Sequence, residues 1–123
     1  MRVPILKQGE YLIASIQSAL SDQELMQLRD DLSEQAGKLR ARGIIVDVTV
    51  LDVMDSFACR TLRAMAHILR LRGARLVIVG IQPEVAFAMV QLGLDLGVKT
   101  ALDLEQGLVV LNQLTHRGST SEK

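Results

Sequence analysis

Residues 44–62, IIVDVTVLDVMDSFACRTL, decide the fold. Ile44 to Val48 is a nearly continuous apolar run, the pattern of a strand buried on both faces. From Ala58 the apolar positions change to helical spacing. Ala58, Leu62, Met65, Ala66 and Leu69 share one face, and Gly73 is placed to stop the helix. Asp47, Asp52, Asp55 and a single serine, Ser56, stand where one period gives way to the other. A buried strand that passes through a loop into an amphipathic helix is half of a β–α–β unit. The sheet is therefore expected to be mostly parallel.

The flanking sequence repeats this logic. Ile5 to Lys7 and Tyr11 to Ile16 are short apolar runs separated by Gly9-Glu10, which predicts a hairpin. Ser21 and Glu24 form a capping-box pair ahead of a helix whose apolar face is Leu25, Leu28, Leu32, Ala36 and Leu39. Gly43 is placed to close that helix in a left-handed conformation. Arg75 to Gly80 reads as a second buried strand. Pro83 opens a short helix that ends at Gly93, and Val98 to Thr100 reads as a short strand. Asp103 caps a last helix with Leu104, Leu108, Leu111 and Leu114 on one side. The expected organisation is one domain over 1–114, with 115–123 as a disordered polar tail.

Composition narrows the function classes. Of 123 residues, 49% are hydrophobic but only 2% aromatic, so the core is aliphatic. Fourteen Lys and Arg balance fourteen Asp and Glu, which argues against nucleic-acid or membrane-surface binding driven by bulk charge. Near-zero charge also does little to keep copies apart, so self-association is expected. Cys59 is the only cysteine and fits a small buried residue in a reducing cytoplasm. The N-terminus has neither the apolar core nor the cleavage site of a signal peptide.

Ser56 admits three readings. As a helix cap, its hydroxyl would accept a backbone N–H. As a nucleophile, it would need a neighbouring base and an oxyanion site. His67, further along the same helix, and His116, near the C-terminus, are not placed to serve it, and no G-x-S-x-G elbow surrounds it. As a phosphate acceptor, it stands where a helix start offers N–H groups and a positive dipole end. Phosphate would add roughly two negative charges there, and any partner docked on the neutral serine would be repelled. The acids Asp47, Asp52 and Asp55 raise a hard-cation site as a rival. The strands Tyr11 to Ile16 and Arg75 to Gly80 end without an acidic pair, so no metal is expected.

These residues also carry a family resemblance. Asp47-Val48-Thr49 and Asp55-Ser56 resemble the signature of the STAS domain, the fold of bacterial anti-sigma-factor antagonists. RGARLVIVGIQPEVAFAMVQLGL (72–94) and TALDLEQGL (100–108) are similar to its later parts. Within the family, Asp55-Ser56-Phe57, Gly80 to Pro83 and Thr100 to Gly107 resemble the single-domain scaffold subunit of the stressosome. The general antagonist pattern has Ser or Thr, then Gly, after Asp-Ser; Phe57 and Ala58 stand there instead.

The resemblance implies an α/β fold with a mostly parallel or mixed sheet and about four helices. It implies a non-enzymatic cytoplasmic scaffold without cofactor or metal, contacting neither nucleic acid nor membrane. Its partners would be further copies, a sensor-bearing STAS paralogue, and a serine/threonine switch kinase of the histidine-kinase-like ATPase superfamily. Phosphorylation of Ser56, with Thr49 as a second acceptor, would release the kinase, and a serine phosphatase would reset the system. Asp52, Asp55, Phe57, Arg60 and Arg63 are the expected partner contacts. The alternative is a plain anti-sigma-factor antagonist that binds an anti-sigma kinase. Arg60, Arg63, His67 and Arg70 also form a basic stripe along the second helix, to be read as a solvated face or as a dock for an acidic partner.

Overall fold

The computed structural model describes residues 3–120. Nine elements follow in order: β1 (Ile5–Gln8), β2 (Tyr11–Ser15), α1 (Asp22–Leu39), β3 (Gly43–Asp47), α2 (Ser56–Leu71), β4 (Arg75–Val79), α3 (Pro83–Gln91), β5 (Lys99–Ala101) and α4 (Leu104–Thr120). The strands form one sheet in the order β1-β2-β3-β4-β5. β1 is antiparallel to β2 and the remaining pairs are parallel. The α/β expectation, with a mixed sheet and four helices, holds.

Helices cover both faces, which is why the central strands are apolar throughout. Ile44, Val46, Leu76 and Ile78 face α1, α2 and α3, where they meet Leu28, Leu32, Leu62 and Met65. Ile45, Val77 and Val79 face the other way, against Leu111 of α4. Each fully buried aliphatic side chain contributes about 1.5–3 kcal/mol, so this two-sided core dominates stability. The register sets Ser15, Asp47 and Val79 level. The carboxyl ends of β2, β3 and β4 therefore finish together, and the loops that follow share one edge of the sheet.

The first helix starts as expected. The Ser21 side chain accepts the Glu24 N–H, and the Glu24 carboxylate accepts the Ser21 N–H. That backbone bond is the main reason the Glu24 carboxyl is held down at about 2, against an ordinary 4.5. A depressed carboxyl stabilises the fold above its unfolded pKa and loses that contribution as pH falls toward the folded value. The contribution of the capping box is therefore full at neutral pH and fades as the pH falls from about 4.5 toward about 2.

Two terminal expectations are corrected. Gly43 does not close α1; Arg40 does, with φ 51°, and Leu39 is exposed. Gly43 is instead a buried residue of β3. A Cβ there would lie 2.6 Å from Leu111 Cδ1, so glycine lets α4 approach the strand. The polar tail expected from residue 115 is helical as far as Thr120. The cause is a polar cluster at the amino ends of β2 and β3. Thr115 is buried, with its hydroxyl donating to the Leu111 carbonyl at 2.9 Å and paired with the Tyr11 hydroxyl at 2.8 Å. Arg42 Nη2 donates to the Thr115 carbonyl, and His116 pairs with Glu10 at 3.2 Å. The rest of the expected tail, 121–123, lies outside the described residues.

Candidate functional site

The β3–α2 connection begins as β3 runs out. Val48 remains buried and its N–H donates to the Val79 carbonyl at 3.0 Å. A turn follows, closed by the Leu51 N–H on the Val48 carbonyl at 3.0 Å. Asp47 Oδ1 fastens it by accepting both the Thr49 N–H (2.9 Å) and the Thr49 hydroxyl (2.5 Å). From the neighbouring β4–α3 connection, Gln82 Nε2 donates to the Thr49 carbonyl at 2.7 Å. Gly80, with φ +81°, lies against Thr49; a Cβ there would be 2.0 Å from Thr49 Oγ1. Thr49 is thus held on three sides.

Beyond the turn, Asp52, Val53 and Asp55 face outward and only Met54 turns in. Met54 is buried, while Val53 is 75% exposed. Asp55, in extended conformation (φ −80°, ψ −179°), caps α2, its Oδ1 accepting the Ala58 N–H at 2.8 Å. An Asx cap of this kind contributes about 1 kcal/mol. Asp55→Ala should accordingly lower unfolding stability in urea by about that amount, while Asp55→Asn, which keeps the accepting oxygen, should stay within a few tenths.

Ser56 is therefore not the cap. It is the first residue of α2 and is exposed, and its hydroxyl has no hydrogen-bond partner among the described residues. Phe57 is half-buried against the core. Cys59 is buried; burial first, and then the Asp55 charge, push its thiol above the ordinary value, which makes it a poor nucleophile. Beside the helix start lies a cavity of about 330 Å³ with apolar walls that include Leu20, Val50 and Val53 and with Asp22, Asp52 and Asp55 among its lining residues. The site is an exposed hydroxyl beside an apolar dent ringed by carboxylates.

The structure gathers Asp52, Asp55, Ser56 and Phe57 around one helix start. Arg60 lies one turn along α2 and is exposed. Arg63 points elsewhere, over Gly97, into a separate groove. Sequence reasoning missed Gly80 and Gln82, which hold the loop from the adjacent strand end. The available signal was the glycine that follows the buried run 75–79.

Residues 2–107 match the STAS domain profile. The RsbT co-antagonist protein RsbRA of Bacillus subtilis (strain 168) is 30% identical over 91 residues, which are 73% of this chain and 33% of that protein. The chain thus spans about a third of that relative's length. A serine-to-glutamate variant of RsbS from Moorella thermoacetica is 35% identical with a TM-score of 0.80, covering 94% of this chain and 99% of that one. A chain from the structure described as the molecular architecture of the stressosome, a signal integration and transduction hub, is 37% identical with a TM-score of 0.75, covering 90% of this chain and 97% of that one. The match contains every element that positions Ser56, and the chain belongs to the STAS domain family, with RsbS among its similar structures.

Proposed function

We propose that this STAS domain is a non-enzymatic regulatory scaffold of a stressosome-type assembly in the cytoplasm. In that role it retains a serine/threonine switch kinase while Ser56 is neutral and lets it go once Ser56 is phosphorylated. The assembly would comprise further copies and a sensor-bearing STAS paralogue, and a serine phosphatase would restore the hydroxyl. The similarity to RsbS and to a stressosome chain supports the assembly. The observation that carries the switch is the exposed, unengaged hydroxyl at the first residue of α2.

Electrostatics give the switch its direction. Asp52 and Asp55 already flank Ser56, and phosphate adds roughly two further negative charges beside them. A kinase face seated on Val50, Val53 and the neutral serine would then meet repulsion and a desolvation cost. Thr49 is the weaker acceptor candidate, because its hydroxyl is bonded to Asp47 and packed against Gly80. In this reading Thr49 holds the loop, and Ser56 takes the phosphate.

Incubation with the cognate kinase and ATP, followed by mass spectrometric mapping, should place the phosphate on Ser56, and Ser56→Ala should abolish labelling. The phosphoprotein should retain the kinase at least roughly tenfold more weakly than the unmodified chain. Labelling that survives Ser56→Ala, or equal retention of kinase by both forms, would exclude the switch.

A further inference from the structure

A second charged surface lies away from Ser56, between the later turns of α2 and the outer edge of β4. It is an open groove of about 630 Å³. Arg63 and Arg70 of α2, Arg75 at the start of β4 and Lys99 at the start of β5 line it, with His67 between the two helix arginines. None of these cations has an ion-pair partner among the described residues. Asp95 is the one acid on the rim, and its Oδ1 accepts the Gly97 N–H at 2.9 Å. Four cations facing one carboxylate are notable in a chain whose total charge is zero. The matching acids lie elsewhere, several of them around the Ser56 loop.

The geometry points to a docking groove for an extended acidic segment of a partner protein. Arg63 and Arg70 are seven residues apart, so they stand about 10 Å apart along the helix. That separation is too wide for both to clasp one phosphate or carboxylate. It matches carboxylates three residues apart on an extended chain of the polyproline II type, which rises about 3.1 Å per residue and returns to the same face every third residue. The floor includes Ala66, Leu76 and Val98, which suits small apolar residues between the acids. β5 begins opposite Val77, so the outer edge of β4 at Arg75 and Leu76 carries no strand and leaves room for an extended segment. The groove is lined by no phenylalanine, tyrosine or tryptophan on which a nucleic-acid base could stack.

Docking here does not require Ser56 to be modified, so it is tested on the unphosphorylated full chain. The probe is a fluorescent peptide with glutamates at every third position and valine or serine between them. Anisotropy should show saturable binding that weakens steeply as salt rises from about 50 to about 500 mM. Arg63→Glu combined with Arg70→Glu should weaken binding at least roughly tenfold, whereas Lys7→Glu, the same kind of charge reversal at the β1 edge, should leave it unchanged. Amide shifts of the wild-type chain on peptide addition should map to 63–76 and 95–99; this readout needs no variant. Equal weakening by Lys7→Glu, shifts centred on α1 or on the Ser56 loop, or tighter binding of a single-stranded oligonucleotide than of the peptide would each overturn the assignment.

Discussion

Gly80→Ala should cost about 2–4 kcal/mol of folding stability, a large share of the roughly 5–15 kcal/mol a domain possesses. Two independent penalties add. Gly80 has φ +81°, where a side chain costs about 1–2 kcal/mol. The new methyl would also stand 2.0 Å from Thr49 Oγ1, 3.1 Å from Thr49 Cβ and 3.2 Å from Asp47 Oδ1. Thr49 cannot step aside freely, since it is tied to Asp47 and Gln82. Relief would break those bonds and shift the turn that leads to Ser56. Urea unfolding measures the total. Adding Thr49→Ala to Gly80→Ala removes the crowded oxygen, so the double variant should recover part of the loss and leave the φ penalty. A Gly80→Ala variant as stable as the parent would show that the turn is not held as described.

Local chemistry made much of this fold readable. The two-faced apolar run 44–48, the helical period from Ala58, the Ser21–Glu24 pair and Pro83 each name an element through its own residues. Elements whose limits depend on a distant neighbour were harder. Gly43 has the composition of a helix stop, and only the approach of Leu111 explains why it belongs in a strand. Residues past 114 look polar enough for a tail, and only Tyr11 and Arg42, brought close by folding, explain the added helical turns. The site divides in the same way. Asp55 and Ser56 are adjacent in sequence and were found there, though which of them caps the helix took backbone geometry to decide. Gly80 and Gln82 reach Thr49 because Asp47 pairs with Val79, a register that no local pattern encodes. Arg75 and Lys99 join the helix arginines across the sheet edge for the same reason.

At the other end of β3, Gly43→Ala should destabilise by about 1–3 kcal/mol through overpacking. The added Cβ would fall 2.6 Å from Leu111 Cδ1 and 2.7 Å from its Cγ and Cδ2, closer than carbon atoms pack. Strand β3 is bonded to β2 and β4, so it cannot retreat, and Leu111 is fully buried, so it cannot swing out. Leu111→Ala alone should cost about 2–5 kcal/mol by opening a cavity. In the double variant the methyl added at position 43 enters that space. The combined loss in urea unfolding should fall short of the summed single losses by about 1–2 kcal/mol, and strict additivity would mean that the two residues do not touch. Gly43 also separates stability from function. It pairs with Tyr11 and Arg75, whereas Asp47, four residues on and about 13 Å away, belongs to the Ser56 edge. Leu111 packs on the sheet face opposite α2. If Ser56 is the acceptor as proposed, folded Gly43→Ala should therefore take phosphate there at the parental rate, whereas Gly80→Ala should not. Equal loss of labelling in both would mean that the kinase responds to overall stability rather than to the shape of the loop.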